Sequence, residues 1–228
     1  MNPDLVSIII PVYNAQKYLR EAIDSVLGQS HLNIEIIAID DGSVDGSADI
    51  LRSYGKSIKW LSQSNSGAAA ARNTGIAASA GAYVAFLDAD DYWHTDKLKH
   101  QLSLLQSDPG LGYVFTLLKQ FICPTLDAAA AAKLQCPTEP EPGYSSGTLL
   151  VHREVIDQVG LFDTQYRVGE FIDWHARARH QGIKNALLQE VTLYRRLHEN
   201  NMGRNHDVSR KDFAKMARAA LMRKKSAG

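Results

Sequence analysis

The chain has 228 residues, with 25 Lys plus Arg against 25 Asp plus Glu. That length suits one domain, or one domain with a small appendage, and is enough to bury a real core. The balanced charge excludes a global field that would draw nucleic acid or acidic lipid, and no run of ~18 apolar residues offers a membrane span.

The predicted elements alternate from the start. Leu5 to Pro11 reads as a buried strand, and Tyr18 to Leu27 carries Leu19, Ala22, Ile23, Val26 and Leu27 at helical spacing. Ile34 to Ile39 is a second strand ending in Asp40-Asp41-Gly42-Ser43; Ser47 to Tyr54 is a short helix; Ile58 to Leu61 is a third strand. Gly67 to Ser79 is an Ala-rich helix, and Tyr83 to Leu87 is a fourth strand ending in Asp88-Ala89-Asp90-Asp91. Strands alternating with helices predict a mostly parallel sheet covered on both faces, with ligands at the carboxyl ends of the strands.

The second half is less regular. A helix from Leu98 to Gln106 stops at Asp108-Pro109-Gly110. Cys123 to Tyr144 reads as a long surface loop with a helical turn through Ala128 to Leu134. Gly147 to His152 is strand-like, Glu154 to Val159 and Glu170 to Gln181 are helices closed by Gly160 and Gly182, and Val191 to Arg196 is strand-like. Asp207 to Lys225 reads as a basic amphipathic helix. Two cysteines, Cys123 and Cys136, lack zinc spacing and read as thiols of a reducing cytosol. No charged-then-apolar leader precedes Leu5, so the expectation is a cytoplasmic chain.

The polar clusters sit at strand ends. Tyr13, after Pro11 and Val12, can lay its ring against a planar base. Asp41 can accept the imide N–H of a uracil ring, or it can be a turn aspartate bonding its own backbone. Gly67 opens a helix whose free N–H groups favour anions, and Arg72 within that helix either reaches a phosphate or lies on a solvated face. Asp88 and Asp90 suit a hard cation, Mg²⁺ or Mn²⁺, shared with substrate phosphates; the plain alternative is a solvated loop.

Taken in order, Ser7-Ile8-Ile9-Ile10-Pro11-Val12-Tyr13-Asn14, Asp40-Asp41-Gly42-Ser43, Gly67 through Ala71-Arg72-Asn73 and Leu87-Asp88-Ala89-Asp90-Asp91 resemble the family 2 glycosyltransferases of the GT-A fold. The match is dense over residues 1–100 and looser from Gly147 to Gly203. The resemblance implies an α/β GT-A (Rossmann-like) three-layer sandwich with a mostly parallel central sheet. It implies an inverting, metal-dependent transferase of polysaccharide biosynthesis that moves a sugar from a nucleotide-diphosphate sugar, a UDP-sugar foremost, to an acceptor hydroxyl. Pro11, Tyr13 and Asp41 would then contact the base beside Asp40, and Arg72 would help hold the nucleotide. Asp88 would lie near the ribose and Asp90 would bind Mn²⁺ or Mg²⁺, with Asp91 in support.

On the acceptor side the family usually has an adjacent Glu-Asp pair whose aspartate is the catalytic base. Here Gly169-Glu170-Phe171-Ile172-Asp173-Trp174 splits that pair. Aligning on Trp174 puts Glu170 in the base's place, with Asp173 one helical turn further on the same face. Either can instead cap the helix or bind Arg177. Tyr194 to Asn201 resembles the family's late Arg-x-x-His segment, so His198 would complete the metal shell or touch the diphosphate.

The resulting organisation is a GT-A domain over 1–203, with a nucleotide-binding half (1–100) and an acceptor-binding half (101–203), followed by a basic helical tail (204–228). The acceptor is a glycan, a lipid-linked saccharide or a peptide. The tail can rest peripherally on the inner face of an anionic membrane, or pack on its own domain or a partner subunit in an oligomer. The rival from another class is a catalytically inactive GT-A module that grips a nucleotide or glycan. A sugar nucleotidyltransferase is disfavoured because Pro11-Val12-Tyr13-Asn14 replaces its Gly-rich loop. A dinucleotide oxidoreductase lacks its Gly-x-Gly-x-x-Gly here.

Overall fold

Alternation in the first strand sends its apolar residues to both faces of a sheet, so both faces must be covered. The computed structural model describes residues 4–199, 201, 212, 215, 216 and 218. β1 (Val6–Val12) turns Val6, Ile8, Ile10 and Val12 to one face and Ile9 to the other. α1 (Leu19–Leu27) covers the first face with Leu19, Ala22, Ile23 and Val26. β2 (Ile34–Asp40), α2 (Ser47–Ser53) and β3 (Lys59–Ser62) follow. α3 (Ala68–Ala77) covers the second face, placing Ala69 and Ile76 in one cluster with Ile9. Its close approach depends on Gly75, where a Cβ would stand 2.4 Å from Ile9 Cγ2.

β4 (Tyr83–Phe86) is buried along its whole length and is followed by β5 (Tyr92–Trp93) and α4 (Lys97–Ser107). The second half adds β6 (Leu111–Ile122), α5 (Ala128–Ala131), β7 (Glu141–Pro142), β8 (Leu150–His152), α6 (Arg153–Val159), α7 (Glu170–His180) and β9 (Lys184–Leu197). One sheet runs in the order β3-β2-β1-β4-β8-β6-β9-β5, with β7 on β6. The parallel order expected from strand–helix alternation holds across β3, β2, β1 and β4 and recurs between β6 and β9. The remaining pairs, through β8, β7 and β5, are antiparallel. Helices on both faces make the three layers.

The apolar pattern does not announce β5, β6 or the first half of β9. Leu111 to Ile122 is a long run broken irregularly by Gly112, Thr116, Lys119 and Gln120, so it shows neither period 2 nor 3.6. Its pairing with β9, interrupted by register shifts near Gly112, Thr116 and Leu117, makes it a strand. The predicted helical turn in the long loop is α5, capped by Asp127, whose side chain accepts the Ala130 N–H at 2.8 Å.

Most of the tail helix expected over 207–225 lies outside the described residues. Of it, Asp212 is buried and its carboxylate accepts the backbone N–H groups of Arg167 (2.9 Å) and Val168 (3.2 Å), while Met216 is buried too. No helix among the described residues is long and apolar enough to cross a membrane.

Lys97, at the start of α4, is 0% exposed. Its Nζ donates to Gln101 Oε1 at 2.6 Å and lies 4.1 Å from the centroid of the Trp93 ring. Burial lowers its pKa well below the lysine range, and the Trp93 face offsets only part of that cost.

Two outcomes follow from this packing. Gly75→Ala should destabilise the fold by about 1–3 kcal/mol in urea denaturation, because the new methyl drives into Ile9 on the central strand. For Lys97, the unfolded chain binds a proton that the folded chain releases, so stability rises with pH from the lowered pKa up to the ordinary lysine value. Lys97→Met should flatten that rise, read from urea curves between about pH 7 and pH 10.

Candidate active site

β1, β2 and β4 are parallel neighbours, so their carboxyl ends deliver their loops to one edge of the sheet. At the end of β1, Pro11 is half-buried and Tyr13 is 52% exposed, its ring open to solvent. Asn14, with φ of 49°, ties this loop to the next. Its N–H donates to Ser43 Oγ (3.0 Å) and its Oδ1 accepts the Val44 N–H (2.9 Å).

At the end of β2, Asp40 is buried and accepts the Ser43 N–H at 3.0 Å. Asp41 is buried as well and reaches across to the loop before α3. Its Oδ1 accepts from Gln63 Nε2 (2.7 Å) and the Ser66 N–H (2.9 Å), and its Oδ2 from the Gly67 N–H (2.8 Å). Gly67 can aim its N–H this way because its φ of 90° is open to glycine. Asp41 therefore does structural work at the mouth of α3, and of the four lone-pair sites on a carboxylate, one remains on Oδ2.

Arg72 sits in α3 facing this edge and is 4% exposed, so the solvated-face alternative does not apply. Its Nη2 donates to Asp88 Oδ1 at 2.6 Å, and its Nη1 pairs with Glu170 Oε1 at the start of α7. Burial works to lower the arginine's pKa, but Asp88 and Glu170 outweigh it and raise the value, holding the charge. Asp88 keeps part of its side chain open, whereas Glu170 is largely buried.

Asp90 pairs with the late histidine. Asp90 Oδ2 lies 2.9 Å from His198 Nε2, and Asn201 Nδ2 donates to the same oxygen at 3.3 Å. Asp91 is buried; its own desolvation and the nearby Asp90 and Asp88 raise its pKa well above the carboxylate range, against a hydrogen bond from the Arg196 N–H at 2.8 Å.

The structure thus brings Arg72, Asp88 and Glu170 into one network and Asp90 and His198 into a second, joined through the short Asp88–Asp90 segment. It does not bring Asp173 there. Asp173 is buried against Arg177, whose Nε donates to its Oδ2 at 2.8 Å. Arg177 in turn donates to the carbonyls of Val159 (2.6 Å) and Leu161 (2.7 Å), so this pair fastens the α6–α7 connection. Two surface hollows, one lined by Ile76, Arg153 and Asp157 and one by Gly112, His152 and Gly182, contain none of the predicted site residues.

Arg196 is the residue that motif reading passes over. Its Nε donates to the Asp90 carbonyl at 3.0 Å, its Nη2 pairs with Glu21, and its guanidinium lies 4.8 Å from the Tyr18 ring centroid and 4.7 Å from that of Phe121. It ties the end of β9 to the Asp90 backbone and to α1. Its place beside the Arg-x-x-His pattern is the available signal, but nothing local distinguishes it from Arg195. Cys123 touches the same cluster through Tyr18; burial raises its pKa, yet hydrogen bonds with Thr125, Tyr18 and Arg196 bring it down to about 7.

Among the described residues no group of three or more His, Cys, Asp or Glu side chains is arranged to hold a metal alone. Asp90 and His198, hydrogen-bonded at 2.9 Å, offer a carboxylate oxygen and an imidazole nitrogen, a donor set whose chemistry a divalent cation accepts. A carboxylate with an imidazole suits Mn²⁺ better than Ca²⁺.

Comparison with known proteins bears on the fold and the family. A relative from Rickettsia prowazekii (strain Madrid E), described as an uncharacterized glycosyltransferase, is 48% identical over 101 residues, covering 44% of this chain and 32% of its own. The putative teichuronic acid biosynthesis glycosyltransferase TuaG of Bacillus subtilis (strain 168) is 48% identical over 106 residues, covering 44% of this chain and 42% of its own. The chain thus spans less than half the length of these relatives. Among solved structures, S. aureus TarS 1-349 in complex with UDP-GlcNAc superimposes with a TM-score of 0.79 at 21% identity, over 96% of this chain and 66% of that one. The mannosyltransferase PcManGT from Pyrobaculum calidifontis, in complex with GDP-Man and Mn²⁺, gives 0.72 at 19% identity, over 95% of this chain and 64% of that one. These likenesses establish the expected α/β GT-A fold. The profile of Glycosyl transferase family 2 matches residues 7–160, well over half of the chain and nearly all of β1 through α6, and the chain belongs to that family.

Proposed function

We propose that this protein is an inverting, metal-dependent glycosyltransferase that moves a sugar from a nucleotide-diphosphate sugar, a UDP-sugar foremost, to an acceptor hydroxyl. One observation carries the reading: a single buried guanidinium, Arg72, joins Asp88 at the end of β4 to Glu170 at the start of α7. Donor-side and acceptor-side carboxylates therefore lie within reach of one side chain. The UDP-GlcNAc and the GDP-Man with Mn²⁺ held by the structural relatives support a nucleotide-sugar donor and a divalent cation. The teichuronic acid role in the name of TuaG supports a saccharide acceptor over a peptide. In this reading residues 1–100 are the nucleotide half and residues 101–203 the acceptor half.

The residues divide the work. Tyr13 stacks on the base with Pro11 at its edge, and Asp41 offers its remaining lone pair to the base while Asp40 holds the loop. Asp88, partly open, lies toward the ribose. Asp90 and His198 would hold Mn²⁺ or Mg²⁺, which supplies charge neutralisation on the leaving diphosphate when bound. Glu170 takes the proton of the acceptor hydroxyl as that oxygen attacks the anomeric carbon from the face opposite the diphosphate, which inverts the centre. Arg72 engages Glu170 Oε1, and Oε2 is the oxygen that receives the proton. Asp173, committed to Arg177, holds α7 in place.

The fact that both acidic side chains of the split pair are ion-paired favours a second reading, a non-catalytic module that binds a donor or glycan. The two separate in one assay. Glu170→Gln should cut sugar transfer by about 10³-fold while the nucleotide dissociation constant stays within about threefold, since removal of a general base costs ~10²–10⁴. NMR of donor turnover by the native chain that shows no sugar released would sink the catalytic reading. Asp90→Ala should abolish the gain in thermal stability that UDP gives with Mn²⁺ over UDP alone. An unchanged difference would remove Asp90 from the metal shell.

A further inference from the structure

Arg72 has a geometry that suits a different task from gripping phosphate. It is nine-tenths buried, and its two terminal nitrogens are spent on carboxylates: Nη2 on Asp88 at 2.6 Å and Nη1 on Glu170. Its buried Nε has no hydrogen-bond partner among the described residues. The two carboxylates come from distant parts of the chain, and among the described residues this planar fork spans them. Asp88 is 43% exposed on its side chain, whereas Glu170 is 10% exposed. One end of the fork therefore holds a partly open carboxylate, and the other a buried one at the start of α7. A guanidinium is rigid and presents its donors in fixed directions, so the position of one carboxylate constrains that of the other.

We propose that Arg72 is a positioning residue that acts through Glu170, fixing the proton-accepting carboxylate relative to Asp88 and so coupling occupation of the donor space to alignment of the base. This rests on the reading of Glu170 as the base. It differs from the nucleotide-holding role that the family resemblance implies for Arg72, because it places the cost of losing Arg72 in turnover and not in donor affinity. Displacement of a reacting group by about 1 Å can cost ~10²-fold in rate. A lysine keeps the buried charge but cannot reproduce the fork.

The test uses the full chain and its Arg72→Met and Arg72→Lys variants. Two quantities are read: the dissociation constant of the tighter of UDP and GDP, each with Mn²⁺, and kcat for sugar release from UDP-GlcNAc and from GDP-mannose. Arg72→Lys should lower kcat by about 10²-fold and leave the nucleotide dissociation constant within about threefold. Arg72→Met should lower kcat further, and guanidinium added to that variant should restore part of it. If Arg72→Met does not fold, Arg72→Lys, checked by circular dichroism, carries the comparison. A loss of nucleotide affinity of about tenfold or more in Arg72→Lys, with kcat unchanged, would overturn the proposal and return Arg72 to the nucleotide. Unchanged kcat and affinity would overturn it as well. Full transfer by Glu170→Gln would instead bring down the base assignment, a failure distinct from that of Arg72. A native chain that turns over neither donor would bring down the catalytic reading and, with it, the positioning role that rests on it.

Discussion

The arrangement of this protein turns on the gathering of carboxylates at one edge of its sheet. Asp40, Asp41, Asp88, Asp90 and Asp91 come together because the three central parallel strands end there, and burying like charges side by side is costly unless each is met by a donor or a cation. Asp41 is met by backbone N–H groups at the mouth of α3, Asp88 by Arg72, Asp90 by His198 and Asn201, and Asp91 by the Arg196 N–H. The first half of the chain supplies the acids, and the second half supplies many of their partners. The halves are held together by the chemistry of the site as well as by the continuous core.

That dependence explains why elements with little motif character matter. β9 pairs along most of β6 and carries Arg196 into the loop that follows β4. α7 is fastened at its start by Glu170 on Arg72 and, one turn on, by Asp173 on Arg177. Two acidic residues one turn apart thus serve different ends: Glu170 joins Arg72 at the carboxyl edge of the sheet, and Asp173 secures the connection that carries α7. Asp212 adds a further tie by accepting the N–H groups of Arg167 and Val168, immediately before Gly169 and Glu170. Rigid support of this kind keeps the Glu170 carboxylate in one place.

The parallel half of the fold is legible in the chain because β1, β2 and β4 are short, largely buried apolar runs and α1 carries a clear apolar stripe. β6 and β9 are not, since their long strands mix buried and open positions and their pairing slips in register, so no period survives. At the site, the Asp88–Asp90 segment and His198 could be named from their neighbours in the chain. The role of Arg196 could not, because its partners Glu21, Asp90 and Asp91 are far away in sequence, and the same holds for the division between Glu170 and Asp173.

What the amino-acid order determined by itself is the kind of molecule: strand–helix alternation requires an α/β layer structure, and acidic clusters stand at its successive strand ends. What only the tertiary structure decided is which charges meet. Ion pairs and hydrogen bonds form between atoms a few ångströms apart, and the residues that supply them here, Arg72 with Glu170 and His198 with Asp90, are separated by about a hundred positions. A local pattern can propose each side chain, but the long-range packing of α3, α7 and β9 on one sheet selects its partner.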